Sequence, residues 1–282
     1  MAEPVRIHPR EEPDDDESGR CSLIRVVELP DGRLEMRDTP LTPEDFLDPQ
    51  IGDVMTQGST HALVAFFLFD LLLRHFRGRA DALVLHDCKH LFGIPKKAPS
   101  PDLSVILGLP RIAPEYESYD VEKEGVVPSL IVEVVSPSDA RIRNVDEQDK
   151  VKLYERAGVS EYVMVRPPRL KRGERGYRLR GYRLDALGRY RPIEPDADGR
   201  LLAETVGLQL GVSADGDWIV LYDAETGTPL RSSVEEEDAR KAAEQARQVA
   251  EQARDESEMR AGAAEAEAAR LREELERLRG RR

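Results

Sequence analysis

The sequence predicts a mixed α/β protein, an α+β arrangement in which a mixed sheet is flanked by helices and followed by a long C-terminal helix. Three observations predict it. An apolar segment of helix length (residues 61–76) comes first. Short apolar runs of strand length then surround an amphipathic helix (residues 145–157). From Val234 onward proline disappears and small apolar residues recur every three or four positions. With 282 residues, 40% of them hydrophobic, the chain can build one sizeable core plus an appendage.

Residues 1–20 (MAEPVRIHPREEPDDDESGR) are polar, contain proline and lack periodicity, so the head of an N-terminal segment, 1–41, is expected to be disordered. The body is expected over residues 42–233. Within it, 61–76 (HALVAFFLFDLLLRHF) is a helix apolar enough to belong in a core. Residues 81–90 read as a strand. Pro101-Asp102 opens a short strand, Leu103–Leu107, and residues 130–135 read as a strand buried on both faces. The helix over 145–157 ends at Gly158, since glycine accepts the left-handed conformation that closes many helices. Residues 161–165 form a strand that Arg166-Pro167-Pro168 interrupts. Residues 177–184 and 187–192 suit a hairpin, and 218–222 a last strand.

The tail, residues 234–282, differs in kind. Ala239, Ala242, Ala246, Val249 and Ala253 follow a heptad-like spacing, which resumes one residue out of step as Ala261, Ala264, Ala268, Leu271, Leu275 and Leu278. A long helix forming a coiled coil is expected, with a phase slip near Ser257. An alanine-rich seam buries little area, so the homo-oligomer expected through this tail is weak; a lone charged helix is the alternative.

The formal net charge is -13, unevenly placed. Residues 1–20 carry seven acids against three bases and 234–282 fourteen against eleven, which leaves the body at about -6. Broad, nonspecific adhesion to nucleic acid is excluded by that balance, and a nucleic-acid substrate would need a local basic patch. The two cysteines, Cys21 and Cys88, belong to no paired motif. No uninterrupted run of about eighteen apolar residues exists, and the first residues are acidic rather than basic-then-apolar. A soluble, cytoplasmic protein with reduced thiols and no membrane partner is expected.

The stretch LIVEVVSPSD (130–139) contains the oddest residue in the body. Glu133 interrupts an otherwise apolar strand, and a carboxylate there costs several kcal/mol unless something pairs with it. The helix that follows carries a matching anomaly. At about 100° per residue, with Lys150 at 0°, Tyr154 lies at about 40° and Leu153 at about 300°, whereas Lys152 lies near 200°. Lys150 therefore stands in the apolar stripe, and Lys152 faces solvent. Each buried charge supplies the partner the other requires. A buried Glu–Lys pair and nothing more is one outcome. Together with Asp102 at a strand start, the set also suits a hard divalent cation such as Mg²⁺, with the ammonium stabilising charge on an attacked phosphate.

Other chemistry-bearing residues are less directed. His86, Cys88 and His90 alternate along one run, yet three ligands so close on one strand rarely converge on a zinc ion. His61 opens the first long helix, near enough to the strand ends to serve the site or simply the core. Asp146, near 320° on the same wheel, shares the inward stripe with Lys150, or merely favours a helix N-terminus. The stretch VRPPRLKRGERGYRLRGYR (165–183) is the strongly basic one; a solvated hairpin is the expected reading, with contact to a DNA backbone the alternative.

The blocks PSPDLSVI (99–106), PSLIVEVVSPSD (128–139) and DEQDKVKLYERAGVSEYVMV (146–165) resemble the Uma-two family of restriction endonucleases, within the PD-(D/E)XK nuclease superfamily. The likeness extends from EDFLDPQIGD and His61 through YRPIEPDADGRLLAETVGLQLGV to YDAETGTPL, about residues 42–233. It implies a restriction-endonuclease-like core in which Asp102 and Glu133 bind Mg²⁺ or Mn²⁺, Val134 lends its carbonyl, and DNA is the substrate. In the superfamily the lysine usually lies two residues after the acid, where this chain has Val135; the resemblance implies that Lys150 of the following helix takes its role. His61, Asp146 and Tyr154 are accessory candidates around that set. The expected activity is a metal-dependent DNA endonuclease, and the rival is a catalytically silent nuclease-fold scaffold that binds a partner through its coiled coil.

Overall fold

The computed structural model describes residues 22–28, 30, 33–40, 42–49, 54–55, 59–135, 145–168 and 173–279. The chain divides into two units, residues 1–230 and 231–282.

The first unit starts with an antiparallel hairpin, β1 (Ser22–Glu28) and β2 (Leu34–Pro40). A short helix follows, α1 (Pro43–Leu47), whose Thr42 and Asp45 form a reciprocal capping box. β3 (Val54–Met55) pairs back onto β1, Leu23 opposite Met55. The body therefore begins before Thr42, the boundary expected from the sequence. Glu35, Met36 and Arg37 in β2 are exposed and supply no buried period-two pattern, which is why this hairpin escapes a sequence reading.

Next come α2 (Ser59–Phe76), β4 (Ala82–His86), β5 (Lys89–Leu91), β6 (Leu103–Leu107), β7 (Ser118–Asp120) and α3 (Val121–Glu124). Then follow β8 (Leu130–Val134), α4 (Lys150–Ala157), β9 (Glu161–Arg166), β10 (Arg178–Leu184) and β11 (Tyr190–Pro192). Six of these strands form the principal sheet, in the order β11-β10-β9-β8-β6-β4. β8 and β9 are parallel and joined through α4, while every other neighbouring pair in this sheet is antiparallel. A second sheet, β12 (Leu201–Ala203), β13 (Leu208–Val212) and β14 (Ile219–Asp223), and a parallel β5–β7 pair complete the unit. β12 and β13 were not predicted: one has three residues, and Gly211 interrupts the apolar pattern of the other.

Alternation along the central strands sends their side chains to two cores. Leu130, Val132 and Val134 of β8, with Val163 and Val165 of β9, meet the α2 stripe of Val64, Leu68, Leu71 and Leu72. Ile131, Val135, Tyr162 and Met164 face the other way and are covered by Leu153 and Tyr154 of α4. All five residues of β8 are buried. Each such aliphatic side chain contributes about 1.5–3 kcal/mol relative to exposure. Among the described residues α2 is the helix long and apolar enough to cross a membrane, yet its apolar stripe packs on the sheet.

Two expected elements differ. The strand expected over 81–90 is broken into β4 and β5, because Asp87 takes a left-handed conformation (φ 48°) and its N–H donates to the Asp102 carbonyl at 3.2 Å. The helix expected over 145–157 is α-helical only from Lys150. Its first turn, Val145–Asp149, is a π-helix, a form that recurs at functional sites. Gly158 does close α4 in the left-handed region (φ 80°).

His90 is fully buried between the rings of Phe92 and Tyr119, at 5.7 and 5.4 Å. Its Nδ1–H donates to the Cys88 carbonyl at 2.7 Å, while Nε2 makes no hydrogen bond among the described residues. His86 instead stacks on Phe66 at 4.9 Å, so His86, Cys88 and His90 do not converge as a zinc set.

The second unit is one helix, α5 (Ser233–Arg279), unbroken across Ser257. Ser232 and Glu235 cap it reciprocally, at 2.8 and 3.3 Å. Arg247–Glu251 and Arg254–Glu258 pairs lie along its surface, and Val249, Leu271 and Leu275 of the expected seam are exposed. Such an unpartnered seam generates one expectation. Truncation after Ser233 leaves the thermal transition of the body in place and lowers the oligomer size seen by sedimentation; an unchanged oligomer removes the coiled coil.

Burial pulls the His90 pKa down to about 4, and the bond to the Cys88 carbonyl offsets only part of this. The folded pKa thus lies below the unfolded value of about 6.5, so the unfolded chain binds more protons between them and stability falls as pH drops from about 6.5 to 4. At about 1.4 kcal/mol per pKa unit the loss is on the order of 3 kcal/mol. Denaturant unfolding at pH 7 and pH 4 is expected to show a smaller pH effect in His90→Phe than in wild type. Parallel pH profiles would refute the assignment.

Candidate active site

β6 and β8 pair antiparallel with Leu103 opposite Val132, and one further residue along that register sets Asp102 opposite Glu133. Opposed residues in an antiparallel pair have Cβ atoms about 4.5–5.5 Å apart. The backbones of the two acids are thus set opposite one another at the ends of neighbouring strands, from positions 31 residues apart in the chain.

Asp102 stands just before its strand, and its side chain takes up an amide at the ladder's end: Oδ2 accepts from the Val134 N–H at 2.6 Å. Oδ1 lies 2.9 Å from Nε2 of His61. His61 is placed by the first turn of α2, on the buried stripe that continues through Val64, Ala65 and Leu68. Both Asp102 and His61 are buried. Burial alone would raise the Asp102 pKa, but the His61 hydrogen bond and charge, the Lys150 charge and the Val134 amide together hold it below the usual carboxylate range.

Glu133 is held from the opposite side of the sheet. Its Oε1 lies 2.8 Å from Lys150 Nζ and accepts the Tyr154 hydroxyl at 2.9 Å. Lys150 and Tyr154 are four residues apart, so one face of α4 presents both. Glu133 and Lys150 are only 3% and 1% exposed, a burial that requires the pair, since each ion alone loses several kcal/mol of hydration. The ammonium also lies 4.5 Å from the centre of the Phe46 ring in α1. Lys152 is exposed.

Of the residues singled out from the sequence, Asp102 and His61 meet directly, and Glu133, Lys150 and Tyr154 form a second connected group. Val134 joins through its amide. The Asp146 side chain lies outside the described residues. Arg169, Lys171 and Arg172 of the basic stretch also lie outside them.

Two site residues went unread. Phe46 had no sequence signal as a ring for a cation. Asp87 was hidden inside an expected strand; its pKa is raised by burial and then by the Asp102 charge, with His86, His61 and Lys150 pulling it back, so its carboxyl lies within reach of the same charges. Among the described residues no group of three or more His, Cys, Asp or Glu side chains is arranged to hold a metal ion.

Residues 33–216 match the model of the Uma2 family, described as "Putative restriction endonuclease". Among solved structures, a crystal structure described as a "putative nuclease belonging to DUF820" from Anabaena variabilis is 15% identical. The match covers 62% of this chain and 78% of that one, with a TM-score of 0.37. Comparison with curated proteins found no match.

The Lys150–Glu133 contact carries its own test. Glu133→Gln leaves a buried ammonium without its counter-charge and is expected to destabilise the metal-free protein by about 3–5 kcal/mol in denaturant unfolding. A neutral or stabilising effect would show that the pair does not hold this part of the sheet.

Proposed function

The chain belongs to the Uma2 family, and on that premise we propose that it is a metal-dependent endonuclease hydrolysing DNA phosphodiester bonds. The observation that carries this reading is the register that sets Asp102 opposite Glu133 at adjacent strand ends, with Lys150 2.8 Å from Glu133. Two carboxylates and a backbone carbonyl are all-oxygen donors, the chemistry a hard cation takes. Since no group of three or more His, Cys, Asp or Glu side chains is arranged to hold a metal ion among the described residues, water and substrate phosphate oxygens would complete the shell, as Mg²⁺ commonly requires.

Asp102, Glu133 and the Val134 carbonyl would hold Mg²⁺ or Mn²⁺, which supplies Lewis-acid polarisation and a lowered water pKa when bound. The protein's own groups do the rest. His61 and the Val134 amide fix the Asp102 carboxylate, and depress its pKa so that it is ionised at neutral pH. Tyr154 and Lys150 fix Glu133. The Lys150 ammonium is a localised positive charge at which a phosphate oxygen gaining negative charge is stabilised, or a water is oriented for in-line attack. Enclosure of these groups strengthens each of those interactions.

A second reading is favoured by one observation: Oε1 of Glu133 is already engaged by both Lys150 and Tyr154, as in a purely structural pair. A nuclease-fold scaffold would then bind a partner without cleaving DNA.

Cleavage of supercoiled and linear DNA with Mg²⁺ or Mn²⁺ separates the two. Under the nuclease reading Asp102→Ala abolishes cleavage, and Lys150→Ala lowers the rate about a hundredfold or more, the scale for removing one electrostatic donor. Lys152→Ala stays within about twofold and alters stability by under roughly 0.5 kcal/mol, as exposed substitutions do. Equal losses in the two lysine variants would overturn the Lys150 assignment, and a wild type without metal-dependent cleavage would leave the scaffold.

A further inference from the structure

The sheet face that carries Glu133 continues sideways into a cluster of arginines. Met164 of β9 is the register partner of Glu133, and Arg180 of β10 is the partner of Met164. Two residues further along the strands, Val135 leads to Arg166 and then to Arg178, which lies directly opposite Arg166. Register partners point to the same side of a sheet. The three arginines, with Glu147, Val135 and Met164, line a cavity of about 180 Å³.

Like charges set directly opposite on neighbouring strands repel, and the local carboxylate supply does not cancel them. Glu147 pairs with Arg166 at 3.5 Å. Arg178 and Arg180 are exposed and form no ion pair among the described residues. The larger cavity at the β10–β11 end, about 360 Å³, shows the contrast. There Arg183 is neutralised by Glu161 and Glu204, and Arg191 by Asp185. In a chain of net charge -13, guanidinium groups left uncompensated around a recess form a site for an anion.

Position selects the anion. Two strand spacings of about 4.8 Å separate Arg180 from Glu133, roughly 10 Å across the sheet, so a nucleic-acid strand with one phosphate beside Glu133 can present a neighbouring phosphate to the arginines. We infer that the recess formed by Arg166, Arg178 and Arg180 is a phosphate subsite that grips the DNA strand at a phosphate near the one attacked beside Glu133. The inference rests on the nuclease reading above and adds the path of the substrate over the protein. The grip is independent of base sequence, since guanidinium forks read phosphate oxygens rather than base edges.

Fluorescence anisotropy of a labelled oligonucleotide with the full-length chain in EDTA tests it without cleavage. Arg178→Ala/Arg180→Ala is expected to weaken binding about tenfold or more on every oligonucleotide sequence, and to reduce the slope of log affinity against log salt by about two. The control Arg189→Ala/Arg191→Ala removes the same charge elsewhere on this sheet. Equal effects in the two double variants would overturn the subsite, because charge alone would explain them. In cleavage assays the first variant should raise KM while leaving kcat within about threefold; a wild type that cleaves while this variant keeps wild-type affinity and KM overturns the subsite alone. A wild type that neither binds nor cleaves DNA overturns the nuclease reading together with it. Saturation of the recess by inorganic phosphate at micromolar concentration, with oligonucleotide binding undisturbed, would mark it as a free-phosphate site and refute the assignment.

Discussion

Placing Glu133 and Lys150 inside a sheet face requires each to be met by the other, because neither ion can leave water alone without losing several kcal/mol. The 2.8 Å contact that results constrains everything around it. It fixes the rotational setting of α4 over β8, and with it the inward aim of Tyr154 and the outward aim of Lys152. It also explains how a strand otherwise made of leucine, isoleucine and valine tolerates a carboxylate at its centre.

The second carboxylate is held by separate means. Asp102 takes its geometry from His61 on α2 and from an amide at the end of β8, whereas Glu133 takes its geometry from α4. The two helices pack on opposite faces of one sheet. The backbones of the two acids are set opposite one another where the β6–β8 ladder ends, so the site depends on both layers of helix and the sheet between them rather than on any one motif. A parallel β8–β9 pair, which demands a crossover helix, is what brings Lys150 over the strand that carries its partner.

Much of this was legible in the sequence, and for physical reasons. A charge in an apolar run and a lysine in a helical stripe are violations of pattern, and pattern is what a sequence displays best. Both resolved into the same contact. The three-residue strands β7 and β12 carry too few positions to show a period. Asp87 was illegible because its left-handed backbone is dictated by the Asp102 carbonyl, a contact the local sequence does not announce. The basic stretch was legible as charge but not as placement. Only the β9–β10 register shows that Arg178 and Arg180 share a face with Glu133 while Leu179 turns to the opposite one. The Arg183 charge, which reads identically in sequence, is consumed by Glu161.

The two halves of the site also differ in how much chain must be closed to make them. Glu133 and Lys150 are 17 residues apart, within one strand–helix–strand unit, whereas His61 and Asp102 are 41 apart, on α2 and at the start of β6. Loop-closure entropy grows as about three-halves RT times the logarithm of loop length, so the longer closure costs about 0.8 kcal/mol more. The lysine-bearing half is thus encoded in a stretch of chain short enough to assemble from its own contacts. The histidine-bearing half draws on α2 docking against the completed sheet, and local opening of that helix would release Asp102 while leaving Glu133 and Lys150 paired.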